Sequence, residues 1–189
     1  MADPGPRERI FEATFACVAR YGIAKTTVED VAREARVSRA TVYRYFAGKD
    51  QLVRETIAWE TAHFFRRLAD AVAGIDDLAA LLEEALCFAH QAVEDHAVLQ
   101  KVLQTEPELL LPEMSTEGER LITLVRAFLV PWLDRARLGE GVGRDAAAEH
   151  VARLFLSFLG APGSWDLTDR DEVRRLVRTQ ILAGILDPG

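Results

Sequence analysis

The sequence predicts an all-α protein, and three observations carry that expectation. Alanine occurs 28 times and leucine 23 times against 16 valines and 7 isoleucines, a surplus of helix formers over β-branched residues. Apolar side chains recur at helical spacing in one segment after another. These segments are separated by glycines, prolines and capping residues, not by turns between alternating polar and apolar runs. With 189 residues there is chain enough for one large or two small domains around a real core.

The first helix is expected over Arg7–Tyr21, with Ile10, Phe11, Phe15, Val18 and Tyr21 on one face and Gly22 placed to stop it. Thr26 and Thr27 offer N-cap hydroxyls, with Glu29 and Asp30 each three residues beyond one of them. A short helix over Thr27–Ala35 then buries Val28, Val31 and Ala32. After a tight break at Arg36-Val37, Ser38 caps a second short helix, Ser38–Phe46, and Val37 and Val42 hold the positions of a hydrophobic staple. Ala47-Gly48 interrupts, and a long helix without Gly or Pro runs from Asp50 to Ala73. Its apolar residues (Leu52, Val53, Ile57, Trp59, Phe64, Phe65, Leu68, Val72) lie on more than one side, the pattern of a helix that meets two neighbours. Two short helices about a three-residue turn, braced by longer ones, have the spacing of a helix-turn-helix.

Further helices are expected over Leu78–Asp95, Ala97–Gln104 and Ser115–Arg137, the last with Pro131 as a kink. Beyond the glycine-rich stretch 138–143, Asp145–Leu159 and Asp169–Leu186 complete the bundle, separated by Ala161-Pro162-Gly163-Ser164. The division this suggests is a DNA-binding domain over residues 1–49 and a helical ligand-binding and dimerisation domain over residues 50–189.

Charge is distributed unevenly. Residues 1–55 carry ten Lys/Arg and eight Asp/Glu, whereas the whole chain has a formal net charge of −7. Seven basic side chains fall within residues 20–49 (Arg20, Lys25, Arg33, Arg36, Arg39, Arg44, Lys49) against three acidic ones. A polyanion-facing module on a body that repels phosphate fits this asymmetry. No nucleophile elbow, P-loop or dinucleotide signature is present, so no catalytic residue is nominated and the chain is not expected to be an enzyme. His63, His90, His96 and His150 are scattered, and Cys17 and Cys87 are isolated, so no metal site and no cofactor are expected. With no secretory start and no membrane span, a cytoplasmic location follows as an expectation, with the two thiols buried and inert.

The chemistry concentrates in the second short helix. Ser38, Arg39, Thr41, Tyr43, Arg44 and Tyr45 are polar and can face outward, while Ala40, Val42 and Phe46 can pack. Arg39 or Arg44 suits guanine O6/N7, the Thr41 methyl suits thymine, and Tyr43 and Tyr45 suit the phosphate backbone. From Thr26 to Leu52 the chain resembles the helix-turn-helix of the TetR family of bacterial transcription regulators. Thr27-Val28, Val31-Ala32, Val37-Ser38, Thr41-Val42-Tyr43, Phe46, Lys49 and Leu52 stand in that family's order. The resemblance covers about residues 8–55 and implies phosphate anchors at Thr27 and Lys49, each at a helix start, where anions are favoured.

A two-fold operator needs two readers, so a homodimer on double-stranded DNA is expected. Its interface is assigned to the last two helices, through Val151, Leu154, Phe155, Phe158, Val173, Leu176, Val177 and Ile181, as the resemblance also implies. An apolar or aromatic effector is expected among Trp59, His63, Phe64, Leu82, Leu86, His90, Leu103, Leu121, Val125, Phe128 and Trp132. The function predicted is a ligand-responsive repressor. The alternative is an apolar-ligand carrier or protein-interaction module without specific DNA binding.

Overall fold

Pro6 opens the first helix, where its missing N–H is one that no helix would satisfy and its fixed φ is already helical. This helix, α1 (Pro6–Tyr21), stops at Gly22, whose φ of 82° and ψ of 166° lie in a region that glycine alone occupies without strain. The protein is described here as a computed structural model covering residues 5–98 and 118–187. After α1 come α2 (Val28–Glu34), α3 (Arg39–Tyr45), α4 (Lys49–Ala71) and α5 (Leu78–Glu94). Then follow α6 (Gly118–Leu133), α7 (Arg144–Gly160), α8 (Arg170–Leu176) and a π-helical turn, Val177–Ile181. Among the described residues the fold is all-α, with one isolated bridge between Leu138 and Leu186.

The described residues form two compact units, one of residues 5–67 and 94–98, the other of residues 68–93 and 118–187. The division falls inside α4, after Arg67. The reason lies in the first turns of α4. Leu52 is buried in the core that α1, α2 and α3 share, and Trp59 packs on that core with its ring 5.5 Å from Phe11. Ile10, Ala13, Cys17, Val31, Ala32, Val42 and Phe46 complete the same cluster.

Between α2 and α3 the chain turns in three residues. Val37 N–H donates to Ala32 O at 3.0 Å and Arg36 N–H to Arg33 O at 3.2 Å, the pair of bonds of a Schellman motif. The motif places Arg36 in the left-handed region, at φ 55°. A side chain there costs roughly 1–2 kcal/mol. Arg36→Gly removes that strain and gives back part of the gain as unfolded-chain entropy. It is therefore expected to stabilise the protein by about 0.5–1 kcal/mol, whereas Arg36→Val should destabilise it. Urea melts of the two variants check both signs.

The second unit is built on short apolar stripes. Leu81, Leu82, Ala85, Leu86 and Ala89 of α5, Leu129 and Leu133 of α6, and Ala147, Ala148, Val151 and Ala152 of α7 are all buried. Arg170 forks onto Glu84 at 2.9 and 3.4 Å, and Arg174 reaches Glu83 at 3.3 Å, which ties α8 to α5. The last helix is shorter than the expected Asp169–Leu186. It changes to π geometry at Val177, turns through Gly184 (φ 73°), and Ile185 O then accepts the Gly139 N–H at 2.9 Å. Helix α6 ends at Leu133 instead of Arg137, two residues past Pro131. Most of the helix expected over Ala97–Gln104 lies outside the described residues.

Candidate nucleic-acid interface

A seven-residue helix presents side chains reliably only if both ends are fixed, and α3 is fixed by its neighbours in sequence. Ser38 Oγ accepts the Thr41 N–H at 3.0 Å as N-cap, and Val42 and Phe46 are buried in the unit's core. Val37 packs on the same core as Val42, which is the staple the sequence suggested. With that face inward, Ser38, Arg39, Ala40, Tyr43, Arg44 and Tyr45 are exposed and Thr41 is partly so. Tyr43 and Tyr45 are large aromatic residues at 44% and 37% exposure. Each lies beneath an arginine: Arg39 Cζ is 5.3 Å from the Tyr43 ring centre and Arg44 Cζ is 5.2 Å from that of Tyr45.

At the start of α2 the expected capping box forms from Thr27 and Asp30. Asp30 N–H donates to Thr27 Oγ1 at 3.2 Å, and Thr27 N–H and Oγ1 donate to Asp30 Oδ2 at 3.3 and 2.6 Å. Thr26 takes no part in it; buried, it donates its hydroxyl to Gly22 O at 2.7 Å. The Thr27 hydroxyl, joined by its N–H and by Arg33, holds the Asp30 carboxyl below the usual carboxylate range. Because the folded pKa is depressed, this contribution is present above the unfolded value, about 3.9, and is lost as pH falls through the folded one. The stability gap between the protein and its Asp30→Asn variant is therefore expected to be full at neutral pH and to close in acid. Urea melts across that range measure it.

The start of α4 is held from three sides. Lys49 Nζ donates to Ala24 O at 2.8 Å, tying this helix end to the segment between α1 and α2. Ala47 N–H donates to Gln51 Oε1 at 2.7 Å, Gln51 Nε2 donates to Glu55 Oε1 at 2.7 Å, and Arg7 Nη2 donates to Glu55 Oε2 at 2.6 Å. Sequence reasoning missed this relay, because a capping signal read along the chain does not show a glutamine reaching back four residues. It also missed the contact between Glu29 Oε1 and Arg39 Nη1 at 2.5 Å, which crosses the turn.

The family description "Bacterial regulatory proteins, tetR family" matches residues 10–56, the stretch that holds α1 to the first turns of α4. The chain is 28% identical over 178 residues to the HTH-type transcriptional regulator BetI of Agrobacterium fabrum, covering 94% of this chain and 80% of that protein. Over residues 10–56 the chain is similar to the tetR family. Among solved structures, the TetR family repressor AlkX from a Dietzia strain, implicated in biodegradation of n-alkanes, superposes with a TM-score of 0.66 at 21% identity. That likeness covers 99% of this chain and 100% of the other. A SmeT–triclosan complex does so with a TM-score of 0.61 at 22% identity, over 97% and 93% of the two chains. SmeT is the repressor of a Stenotrophomonas maltophilia multidrug efflux pump.

The residues nominated for an effector divide between the two units. Trp59, His63 and Phe64 lie in the first, where the Trp59 and His63 rings are 4.1 Å apart and Phe64 meets Phe65 edge-on at 5.5 Å. Leu82, Leu86, His90, Leu121, Val125, Phe128 and Trp132 lie in the second. There Phe128 and Trp132 stack at 5.4 Å, and Trp132 Nε1 donates to Ile75 O at 2.6 Å. Leu82, Leu86 and Val125 are buried, His90 is half-buried, and Leu121 is exposed. Leu103 falls outside the described residues.

Val151, Phe155, Val173, Leu176, Val177 and Ile181 are buried within the single chain, five of them completely. Their apolar stripes close the second unit's own core. Leu154 and Phe158 alone of the nominated interface residues keep part of their surface. Cys17 is buried, as expected, and Cys87 only half so; burial raises the pKa of both thiols. Among the described residues there is no group of three His, Cys, Asp or Glu able to hold a metal, and no helix long and apolar enough to cross a membrane.

Proposed function

We propose that this regulator is a repressor that binds a palindromic operator as a homodimer and leaves it when an apolar or aromatic small molecule binds. The observation that carries the reading is the division of α3 into two faces. Val42 and Phe46 anchor it while Arg39, Thr41, Tyr43, Arg44 and Tyr45 remain available to a major groove. Thr27 and Lys49, at the starts of α2 and α4, are the phosphate anchors of this scheme, and Ser38 serves as cap and contact together. An acidic C-terminal body has no use for DNA and suits a sensor.

The repressor sign and the apolar effector are supported by what AlkX and SmeT are named for, and by the aromatic and aliphatic side chains of α5 and α6. Dimerisation is assigned to α7 through Leu154 and Phe158, the nominated residues that still have surface to give. Two readers on successive major grooves must sit about 34–36 Å apart. An effector that prefers another arrangement of the dimer, transmitted along the continuous helix α4, removes that match.

Capture of bound genomic DNA, followed by salt-titrated binding to the captured site, tests the reading. The expected result is a palindrome held by a dimer, with affinity falling steeply with salt and lost on adding effector. Equal, weak binding to all duplexes would overturn it in favour of an apolar-ligand carrier.

A further inference from the structure

We propose that Glu29, on α2, is a specificity-determining residue of the DNA-reading face, acting by holding Arg39. The inference rests on the DNA-binding reading above and adds a residue to it. Arg39 is the first residue of α3, where a guanidinium has the shortest reach to a base edge. It is not a free cation. Its Nη1 meets Glu29 Oε1 at 2.5 Å, its Nη2 lies 3.4 Å from Tyr43 Oη, and its plane is carried over the Tyr43 ring. One edge and one face are therefore occupied, and the remaining N–H donors of the fork stay open.

Two consequences follow from this geometry. A lone arginine on the reading face gains by approaching any phosphate, which raises affinity for every sequence alike. Paired with a carboxylate, the same side chain has its charge largely cancelled at phosphate distances, and the carboxylate itself repels the backbone. A guanine edge offers something different: two acceptors at the spacing of the fork, rewarded by hydrogen bonds and not by net charge. Glu29 thus lowers affinity for wrong sequences more than for the right one, and with Tyr43 it limits the rotamers from which Arg39 reads. Arg33 does not share this role, since its guanidinium is spent on Asp30 at 2.5 Å.

A merely structural Glu29 would serve the helix dipole, as acidic residues in a first turn do. The test is Glu29→Gln, which keeps shape and removes charge, with two probes: a mixed-sequence duplex and selection from a randomised duplex library. The variant is expected to bind the mixed-sequence duplex about three- to tenfold more tightly, with a salt slope steeper by about one. Its selected site should lose preference at one guanine per half-site. In an Arg39→Ala background the same substitution should leave base preference unmoved. If the protein binds duplexes but Glu29→Gln changes neither the mixed-sequence affinity nor the selected site, Glu29 is only a helix-dipole residue and the inference falls. If the unaltered protein binds no duplex at any salt, the DNA-binding reading itself falls, and the inference with it.

Discussion

Phe46→Ala is expected to unfold the DNA-reading unit. Phe46 is 1% exposed, the largest of the fully buried side chains among the described residues, and its ring lies 5.5 Å from that of Phe11 on α1. It is also the C-cap of α3, donating its N–H to Val42 O at 3.0 Å, so the side chain that fills the core also fixes where the reading helix ends. Removing a buried phenyl ring costs about 3–5 kcal/mol. A small unit has few further contacts over which to spread that loss. The expected result is rapid amide exchange through α1, α2 and α3, and loss of DNA binding, while α5 and α7 stay protected. Phe46→Leu, which keeps most of the volume, should cost about 1 kcal/mol and leave the unit folded. Hydrogen exchange resolved by segment measures both. Protection of α2 and α3 in the alanine variant equal to the parent would show that the Phe11–Phe46 contact is not what holds the unit together.

What sequence reasoning recovered follows from where the signals were local. Gly22, the Thr27–Asp30 box, the Val37–Val42 staple and Ser38 are each read from residues within five positions of one another, and each formed where expected. The outward face of α3 was readable for the same reason, because Val42 and Phe46 choose the buried side. Partners distant in sequence were not. An apolar stripe states that something covers it, not what. The stripe on α7 and α8 is covered by the chain itself, and Trp59 by Phe11. Lys49 likewise has a backbone carbonyl partner 25 residues away, which no spacing rule encodes. The π turn at Val177 was hidden because Val173, Leu176, Val177 and Ile181 fit an ordinary helical period.

Arg39 and Lys49 should fail in different ways, and the difference measures how α3 docks. Arg39 is exposed and offers a fork, so Arg39→Ala is expected to lower affinity for the captured operator about five- to 150-fold, while mixed-sequence DNA is bound nearly as before. Lys49 offers a point charge at the start of α4, so Lys49→Ala should weaken every duplex by a similar factor and flatten the salt slope by about one. The structure adds a qualification that charge alone would miss. Because Lys49 Nζ also holds Ala24 O, its loss frees the α1–α2 segment that leads into Thr27. Part of the uniform loss should therefore survive at high salt, where the phosphate contribution is screened. Salt-titrated affinities of both variants on both duplexes decide the matter. If Arg39→Ala weakens all sequences equally and Lys49→Ala changes base preference, then α3 lies along the backbone and α4's start faces the bases, the reverse of the docking proposed here.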